Sequence, residues 1–461
     1  MENMKTESLK SIYKRLVALI EFVLLVMVFY YYWMTELNVI RHTQFLGKGN
    51  WLVVFVYAAI LFAMMCALGG FKVGVSKAGN LALSQVIAVI LTNILGWAQT
   101  ILIIGDIWHM KEVTTTMVAV TIIDIILCVV ISNLSAWGYR KLFPPYHMLL
   151  INGHHQNHLS QKVSSRDDKY QICEEISIDA GMDAVKAKIM EYDVILMNDV
   201  GSDEKSAILK FCFQNSRRLY FTPHLTDVLT KGADEVDLFD SPLLLCRNYG
   251  LSLEQRFVKR TMDIAVSFLG IILLSPIMLV IAIAIKLHDK GPVFFMQERC
   301  TRGGKRFMMC KFRSMIENAE QDGKSRPAVN DDDRITPVGR IIRATRLDEL
   351  PQLFNIFKGE MSLVGPRPER VEHVEKYTEE IPEFAFRMKV KGGLTGYAQI
   401  YGKYNTSAYD KLKMDLKYIV DYSFLLDIRI ILMTLKVIFM KESTEGFEQE
   451  ASEGNKESKQ R

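Results

Sequence analysis

Four long apolar runs, residues 16–33, 51–69, 83–104 and 117–134, fill the first third of this chain. Each approaches or exceeds the ~18 residues that a helix needs to cross a bilayer. Within lipid, a spanning segment must satisfy its own backbone hydrogen bonds, so these runs predict a helical membrane bundle. Composition agrees: the 461 residues are 49% hydrophobic, with mean hydropathy +0.11. The first run follows Lys10, Lys14 and Arg15, as a signal peptide would. However, it continues into Tyr30, Tyr31, Tyr32 and Trp33 with no small-residue cleavage site, so it reads as an uncleaved anchor. Basic residues gather before the first run, between the second and third (Lys72, Lys77), and after the fourth (Arg140, Lys141). The positive-inside rule makes those ends cytoplasmic, against competing charges at Arg41, Lys48 and Lys111. Glu21 and Asp124 lie inside the runs and mark either a transport path or contacts within the bundle.

A fifth apolar stretch, 264–285, is also long enough to span, but Ser275-Pro276 interrupts its middle and predicts a kink or break. Lys259 and Arg260 precede it, and Lys286 and Lys290 follow. Cationic flanks at both ends fit a helix that dips into one leaflet and returns. A kinked span is the alternative. Between the two membrane regions, residues 146–246 alternate short apolar runs at 148–151, 194–197, 219–221 and 243–245 with helix-like segments at 183–191 and 204–215. That alternation predicts a small parallel sheet of Rossmann-like type. Its first strand ends in "LLINGHHQNH", whose single Gly153 falls short of a dinucleotide fingerprint. His154, His155 and His158 in that loop read as solvated more readily than as metal ligands. The net charge of +4 argues against a dedicated nucleic-acid binder. Seven scattered cysteines with no CxxC pair suggest neither a disulfide framework nor a zinc site.

Chemistry concentrates after Lys259. "KGPVFFMQERCTRGGKRFMMCKFRSM" holds two strand-like runs turned by Gly303-Gly304 and studded with Arg299, Arg302, Lys305, Arg306, Lys311 and Arg313. So many cations beside strand ends suit an anionic membrane surface or a phosphate cradle. Asp331-Asp332-Asp333 has the form of a DxD metal site but, lacking a preceding buried strand, reads as a loop tip. Arg340 and Arg343 follow at helical spacing. A helical wheel then puts Leu347, Leu350, Leu353, Phe354 and Phe357 on one face, with Asp348 opposite and Glu349 at the edge. Asp348 could simply be a helix N-cap, compatible with Pro351 in a first turn. A cap alone does not call for Glu349, Arg343 and Arg367 around it. Gly365-Pro366-Arg367-Pro368 fixes the backbone on both sides of one guanidinium, which suits a planar donor held for a phosphate.

At these residues the chain resembles the bacterial sugar transferases, the monotopic phosphoglycosyl transferases, over residues 256–440. "KRTMDI", the mid-helix "SP", "GPVFFMQER", "KFRSM", "RITPVGRIIRATRLDELPQLFNIFKGEMSLVGPRPE", "GGLTGYAQIYG" and "LDIRIILMTLKVI" carry the resemblance, in the family's order. Gly392 where Pro is frequent, and Tyr397 where Trp is, depart from it. The resemblance implies a re-entrant helix over 260–286 bent at Ser275 and Pro276, with the catalytic domain on the cytoplasmic face of a bacterial inner membrane. It implies that Asp348 is the nucleophile toward a UDP-sugar and that Asp348 and Glu349 hold Mg²⁺. Lys311, Arg313, Arg343, Arg367 and Lys391 would contact phosphates, and undecaprenyl phosphate would accept the sugar phosphate. UDP-glucose or UDP-galactose is the expected donor class, with a homodimer as the family's weaker suggestion. The resulting organisation is four transmembrane helices (1–142), a Rossmann-like α/β middle domain (143–250), an α+β monotopic catalytic domain (251–440) and a disordered tail (441–461). A DxD glycosyltransferase, or a membrane scaffold built on the middle domain, are the competing functions.

Overall fold

The computed structural model describes residues 2–438 apart from 41–43, 107, 154–158, 239, 247–249, 318–331 and 403–405. The loop histidines His154, His155 and His158, Asp331 and the 441–461 tail therefore lie outside the described residues. The chain forms two compact units, Met1–His224 and Leu225–Arg461.

In the first unit, α1 (Glu2–Tyr32, extended by a π turn, Trp33–Leu37), α2 (Lys48–Leu68), α3 (Ala78–Ile104) and α4 (Met110–Leu142) coincide with the four apolar runs, and each is long and apolar enough to cross a membrane. The acids inside them are bundle contacts. Gln85 donates to Glu21 Oε2 at 2.8 Å and accepts from the Ser132 hydroxyl. In a second set, Asn93 donates to Asp124 Oδ2 at 3.0 Å and accepts from Tyr57 at 2.6 Å. Because an unpaired polar group in an apolar medium is costly, these bonds specify which helix faces which.

A four-stranded, all-parallel sheet follows, β1 (Tyr146–Asn152), β2 (Tyr170–Ser177), β3 (Val194–Asn198) and β4 (Arg218–Phe221), in the order 2-1-3-4. Helices α5 (Leu159–Ser164), α6 (Met182–Glu191) and α7 (Ser202–Gln214) connect the strands. The apolar runs marked β1, β3 and β4. They missed β2, an edge strand that alternates half-buried and exposed residues. The sheet side of the bundle carries the chain's amino-terminal end: Arg218 pairs with Glu7 of α1 at 2.6 Å, and Arg166 donates to Val75 O in the α2–α3 loop at 2.9 Å. The start of α1, the α2–α3 loop and the end of α4 thus share one side, as four spans require.

The second unit begins with α8 (Leu225–Lys231). The run at 243–245, expected to extend the parallel sheet, instead lies in β6 (Ser241–Leu245), antiparallel to β5 (Asp234–Leu238). Then come α9 (Leu253–Asp289), the antiparallel pair β7 (Phe294–Cys300) and β8 (Arg306–Phe312), α10 (Pro337–Ala344) and α11 (Gln352–Lys358). The β7–β8 turn uses Gly303 and Gly304 at φ 70° and 72°, a region that favours glycine. The remaining elements are β9 (Ser362–Val364), α12 (Val371–Glu380), β10 (Gly393–Thr395) parallel to β9, α13 (Tyr397–Tyr401), α14 (Ala408–Val420) and α15 (Phe424–Ile438).

The expected break at Ser275-Pro276 is not an interruption, because α9 is one helix through Pro276. Proline removes the N–H that would bond Ile272 O, and the Ser275 hydroxyl donates to that same carbonyl at 2.8 Å. A serine beside the proline thus repairs the ladder. One stripe of α9 packs on the unit along its length: Lys259, Asp263 and Ser267, then Ile271 and Leu274, then Met278, Ile281 and Ile285. The spacing of three and four keeps them on one face. Phe268, Leu269, Leu273, Leu279, Val280 and Leu287 point out, and Phe268 stacks on the exposed Phe357.

At the start of that stripe, Lys259 Nζ donates to Asp427 Oδ2 at 2.6 Å and to the Tyr418 hydroxyl at 3.1 Å, all three buried. Lys259→Met strands the Asp427 charge, which costs about 3–5 kcal/mol for a buried pair broken on one side. Thermal unfolding in detergent should show a marked drop for Lys259→Met and most of it recovered in Lys259→Met/Asp427→Leu.

Candidate active site

Asp348 and Glu349 sit in a 3₁₀ turn, Leu347–Glu349, between α10 and α11, and Pro351 caps α11. Asp348 is therefore not a helix N-cap. The turn replaces the single apolar face expected here: Leu353 enters the core with Ile356, while Phe354 and Phe357 face outward. Arg346 precedes the turn at φ 55°, a left-handed backbone that costs a residue bearing a Cβ about 1–3 kcal/mol. Thr336 caps α10 by accepting from Gly339 N at 2.9 Å. A Cβ on Gly339 would lie 1.9 Å from Ser314 O, so only glycine lets α10 press against the segment leaving β8.

Lys311 comes from β8. Its strand is fastened to α11 by Asn355, which accepts from Cys310 N at 3.0 Å and donates to Met308 O at 2.8 Å. Asn355 was not singled out from the sequence. Its signal was a lone buried amide inside the apolar run "LFNIF". Arg367 comes from the Gly-Pro-Arg-Pro turn. Glu349 Oε1 accepts from Lys311 Nζ at 3.2 Å and from Arg367 Nη2 at 3.1 Å. No hydrogen bond or ion pair joins the Asp348 carboxylate to another described residue.

The two neighbouring acids therefore differ electrostatically. Burial pushes both upward. For Glu349, the Arg367 and Lys311 charges outweigh burial and hold the carboxyl at about 2. For Asp348, burial and the adjacent Glu349 charge prevail over Lys311, Arg343 and Arg367, and its pKa is raised. Lys311, itself largely buried, is lowered by desolvation against the pull of Glu349.

Of the cations expected around the pair, the structure brings in Lys311, Arg343 and Arg367. Arg313 is buried and pairs with Asp289 at the end of α9, and a Cβ on Gly291 would fall 2.5 Å from its Nη1. Lys391 has Arg260, Asp263, Arg302 and Lys259 as its charged neighbours, and burial first, then Arg260, lowers its pKa. In the DxD-like stretch, Asp332 is buried and committed to Arg334, whose Nε lies 2.8 Å from Oδ1, while Asp333 is exposed. Among the described residues no cluster of three or more His, Cys, Asp or Glu could cage a metal. None of the seven cysteines, all among the described residues, is joined in a disulfide.

The profile of the bacterial sugar transferases matches residues 254–441. A UDP-glucose:undecaprenyl-phosphate glucose-1-phosphate transferase of Caulobacter vibrioides is 40% identical over 221 residues, 46% of this chain and 82% of the relative. The chain belongs to the bacterial sugar transferase family. A UDP-glucose:undecaprenyl-phosphate glucose-1-phosphate transferase of Klebsiella pneumoniae is 45% identical over 217 residues, 46% of this chain and 45% of the relative. A UDP-N-acetylgalactosamine-undecaprenyl-phosphate N-acetylgalactosaminephosphotransferase of Aeromonas hydrophila is 44% identical over 185 residues, 40% of this chain and 44% of the relative. These matches span under half the length of the last two relatives, and the family profile's range, 254–441, contains the acid pair and the cations beside it.

The electrostatic contrast has a stability consequence. Asp348 has a raised pKa, so its charge opposes folding near neutral pH, while the depressed Glu349 contributes stability above its usual 4.5 that is lost as pH falls toward about 2. Asp348→Asn should unfold at the wild-type temperature or above it, and Glu349→Gln should unfold lower, by differential scanning at pH 7.

Proposed function

We propose that this protein transfers a hexose 1-phosphate from a UDP-sugar to undecaprenyl phosphate through a covalent phosphosugar on Asp348. The observation that carries the reading is the division of labour in the acid pair: Glu349 is consumed by two cations, while Asp348 keeps both oxygens for a substrate. In the first half-reaction an Asp348 carboxylate oxygen bonds to the β-phosphorus. The bond from that phosphorus to the bridging oxygen breaks, and UMP leaves with the bridging oxygen. In the second, a phosphate oxygen of the lipid attacks the same phosphorus, the acyl phosphate P–O bond breaks, and the Asp348 carboxylate is restored. Covalent catalysis divides one hard transfer into two easier ones. Lys311, Arg343 and Arg367 neutralise and orient the transferring group.

Mg²⁺ fits this donor set, since that ion is commonly held by one or two carboxylates completed by substrate phosphates and water rather than by a protein cage. Asp348 and the second oxygen of Glu349 would hold it, and it would supply charge neutralisation at the diphosphate. The donor sugar is glucose or galactose in this reading, and the N-acetylgalactosamine relative keeps acetamido sugars within the panel to be tested. The middle sheet is read as Rossmann-like, without an assigned ligand.

The same reading makes α9 re-entrant and the catalytic unit cytoplasmic, where UDP-sugars are made. Its support is the packed stripe: Lys259 near one end and Ile285 near the other rest on one polar unit, which a helix crossing the bilayer would hold apart. Cysteines introduced at Lys259-adjacent Val258 and at Lys290 should label from the same side of the membrane. Opposite labelling would make α9 a fifth span and defeat the topology.

Wild-type protein given UDP-sugar and Mg²⁺ without lipid should release UMP and gain a hexose-phosphate mass on the peptide containing Asp348. Asp348→Asn should remain folded and lose both signals. UDP as the nucleotide product, or an adduct on another residue, would reject the mechanism.

A further inference from the structure

The turn that delivers Arg367 has an unusual backbone. Pro366 and Pro368 have no N–H to donate, so its main chain must be fixed mostly through carbonyls. All four consecutive carbonyls are engaged. Pro366 O accepts from Gly393 N at 2.9 Å, and Glu369 O from Cys300 N at 3.1 Å. Those two bonds tie the turn to the β9–β10 edge and to the end of β7. The middle two are held by side chains: Arg367 O accepts from Arg387 Nη2 at 2.9 Å, and Pro368 O from Arg299 Nη1 at 3.1 Å.

Both guanidiniums are themselves fixed. Arg387, in the 3₁₀ segment Pro382–Lys389, is buried and reaches Asp415 Oδ2 of α14 at 2.8 Å and Glu369 Oε1 at 3.7 Å. Asp415 is buried too. Arg299 of β7 bonds Gln297 Oε1 through Nε at 3.1 Å and lies 3.9 Å from Glu369 Oε2. The Glu369 carboxylate thus sits between two arginines that grip the two carbonyls just before it in the chain. A planar fork reaching a carbonyl and a carboxylate together is a task lysine cannot copy.

We propose that Arg387 and Arg299 are positioning residues that aim the Arg367 guanidinium at the acid pair by clamping the carbonyls of Arg367 and Pro368. The claim rests on the phosphotransfer reading above. Arg387 acts through Arg367, so its effect should vanish when Arg367 is already gone. Contacting residues in one network are non-additive, whereas independent stability effects add.

The test is a double-mutant cycle between Arg387→Met and Arg367→Met, read as single-turnover UMP release. Because Arg387→Met leaves Asp415 buried without its counter-charge, Arg387→Lys and Arg387→Met/Asp415→Leu are measured beside it. We expect at least a tenfold loss for each Arg387 variant at unchanged unfolding temperature in the paired variant. We expect little further loss when any of them is combined with Arg367→Met. Arg299→Lys should show the same pattern. Multiplying losses, or full activity in a folded Arg387→Met/Asp415→Leu, would overturn the proposal. Hydrogen exchange supplies an arm independent of activity: amides of Gly365, Gly393 and Cys300, whose hydrogen bonds hold the turn, should exchange at least tenfold faster in the Arg387 variants, and unchanged protection would overturn the clamp. If wild-type protein releases no UMP, the phosphotransfer reading fails while the exchange arm still decides the clamp.

Discussion

The second unit is organised around one carboxylate. Glu349 Oε1 is shared by Lys311 from a strand and Arg367 from a proline-fixed turn, at 3.2 and 3.1 Å. A buried carboxylate must be paired to remain charged. Satisfying Glu349 therefore draws three distant stretches of chain to one point: the 3₁₀ turn before α11, the β7–β8 hairpin and the Gly-Pro-Arg-Pro turn. Asp348 is carried to the same point by sequence adjacency and makes no hydrogen bond or ion pair with another described residue. In the proposed chemistry, the reactive group is thus defined by what its neighbour consumes.

The second constraint is where this site sits relative to lipid. A helix with apolar residues all round would be expected to cross a bilayer, and α9 is long enough to do so. Lys259 and Asp263 on one stripe weigh against a crossing, because each has a polar partner elsewhere on the unit: Asp427 for the first, and the Ser362 hydroxyl and Leu363 N for the second. The outward face remains fit for acyl chains. Exposed Phe354 and Phe357 from α11 extend that apolar surface beside Phe268, so in the proposed topology the segment that follows the acid pair would face lipid as well.

Much of this was legible in the sequence where periodicity or motif order governs structure. The four spans, three of the parallel strands, the Gly303-Gly304 hairpin and the acid pair beside Arg367 were read directly. What escaped depends on tertiary partners. Edge strand β2 looks half polar because one side of it is unpaired. The run at 243–245 forms a strand but pairs locally, which apolar content cannot reveal. The wheel drawn through Asp348 assumed a helix where Arg346 adopts a left-handed backbone and starts a 3₁₀ turn. Arg313 and Arg343 looked equivalent as cations, yet Asp289 claims the first and the second lies by Asp348. Asn355 and Arg387 carried no motif signal of their own, because their work is done on main-chain carbonyls and amides supplied by remote segments.

The proposed chemistry places an unusual demand on such a site, since it must remain charge-balanced through two transfers without rebuilding its ion pairs. An ionised Asp348 carries one negative charge. Once esterified by the sugar phosphate, it loses that charge and gains the single ionised oxygen of a phosphodiester-like group, so the net change at this position is near zero. UDP-sugar and UMP carry similar charge in and out, as do the lipid phosphate and its diphospho-sugar product. Lys311, Arg343 and Arg367 would therefore face nearly the same negative load before and after each chemical transfer. A fixed arrangement of cations suffices under those conditions, and reorganisation would add only to the barrier. Rigid backing of Arg367 and permanent neutralisation of Glu349 follow from the same requirement. In this chemistry the group that changes its bonding would be Asp348, whose carboxylate is paired with no other described residue.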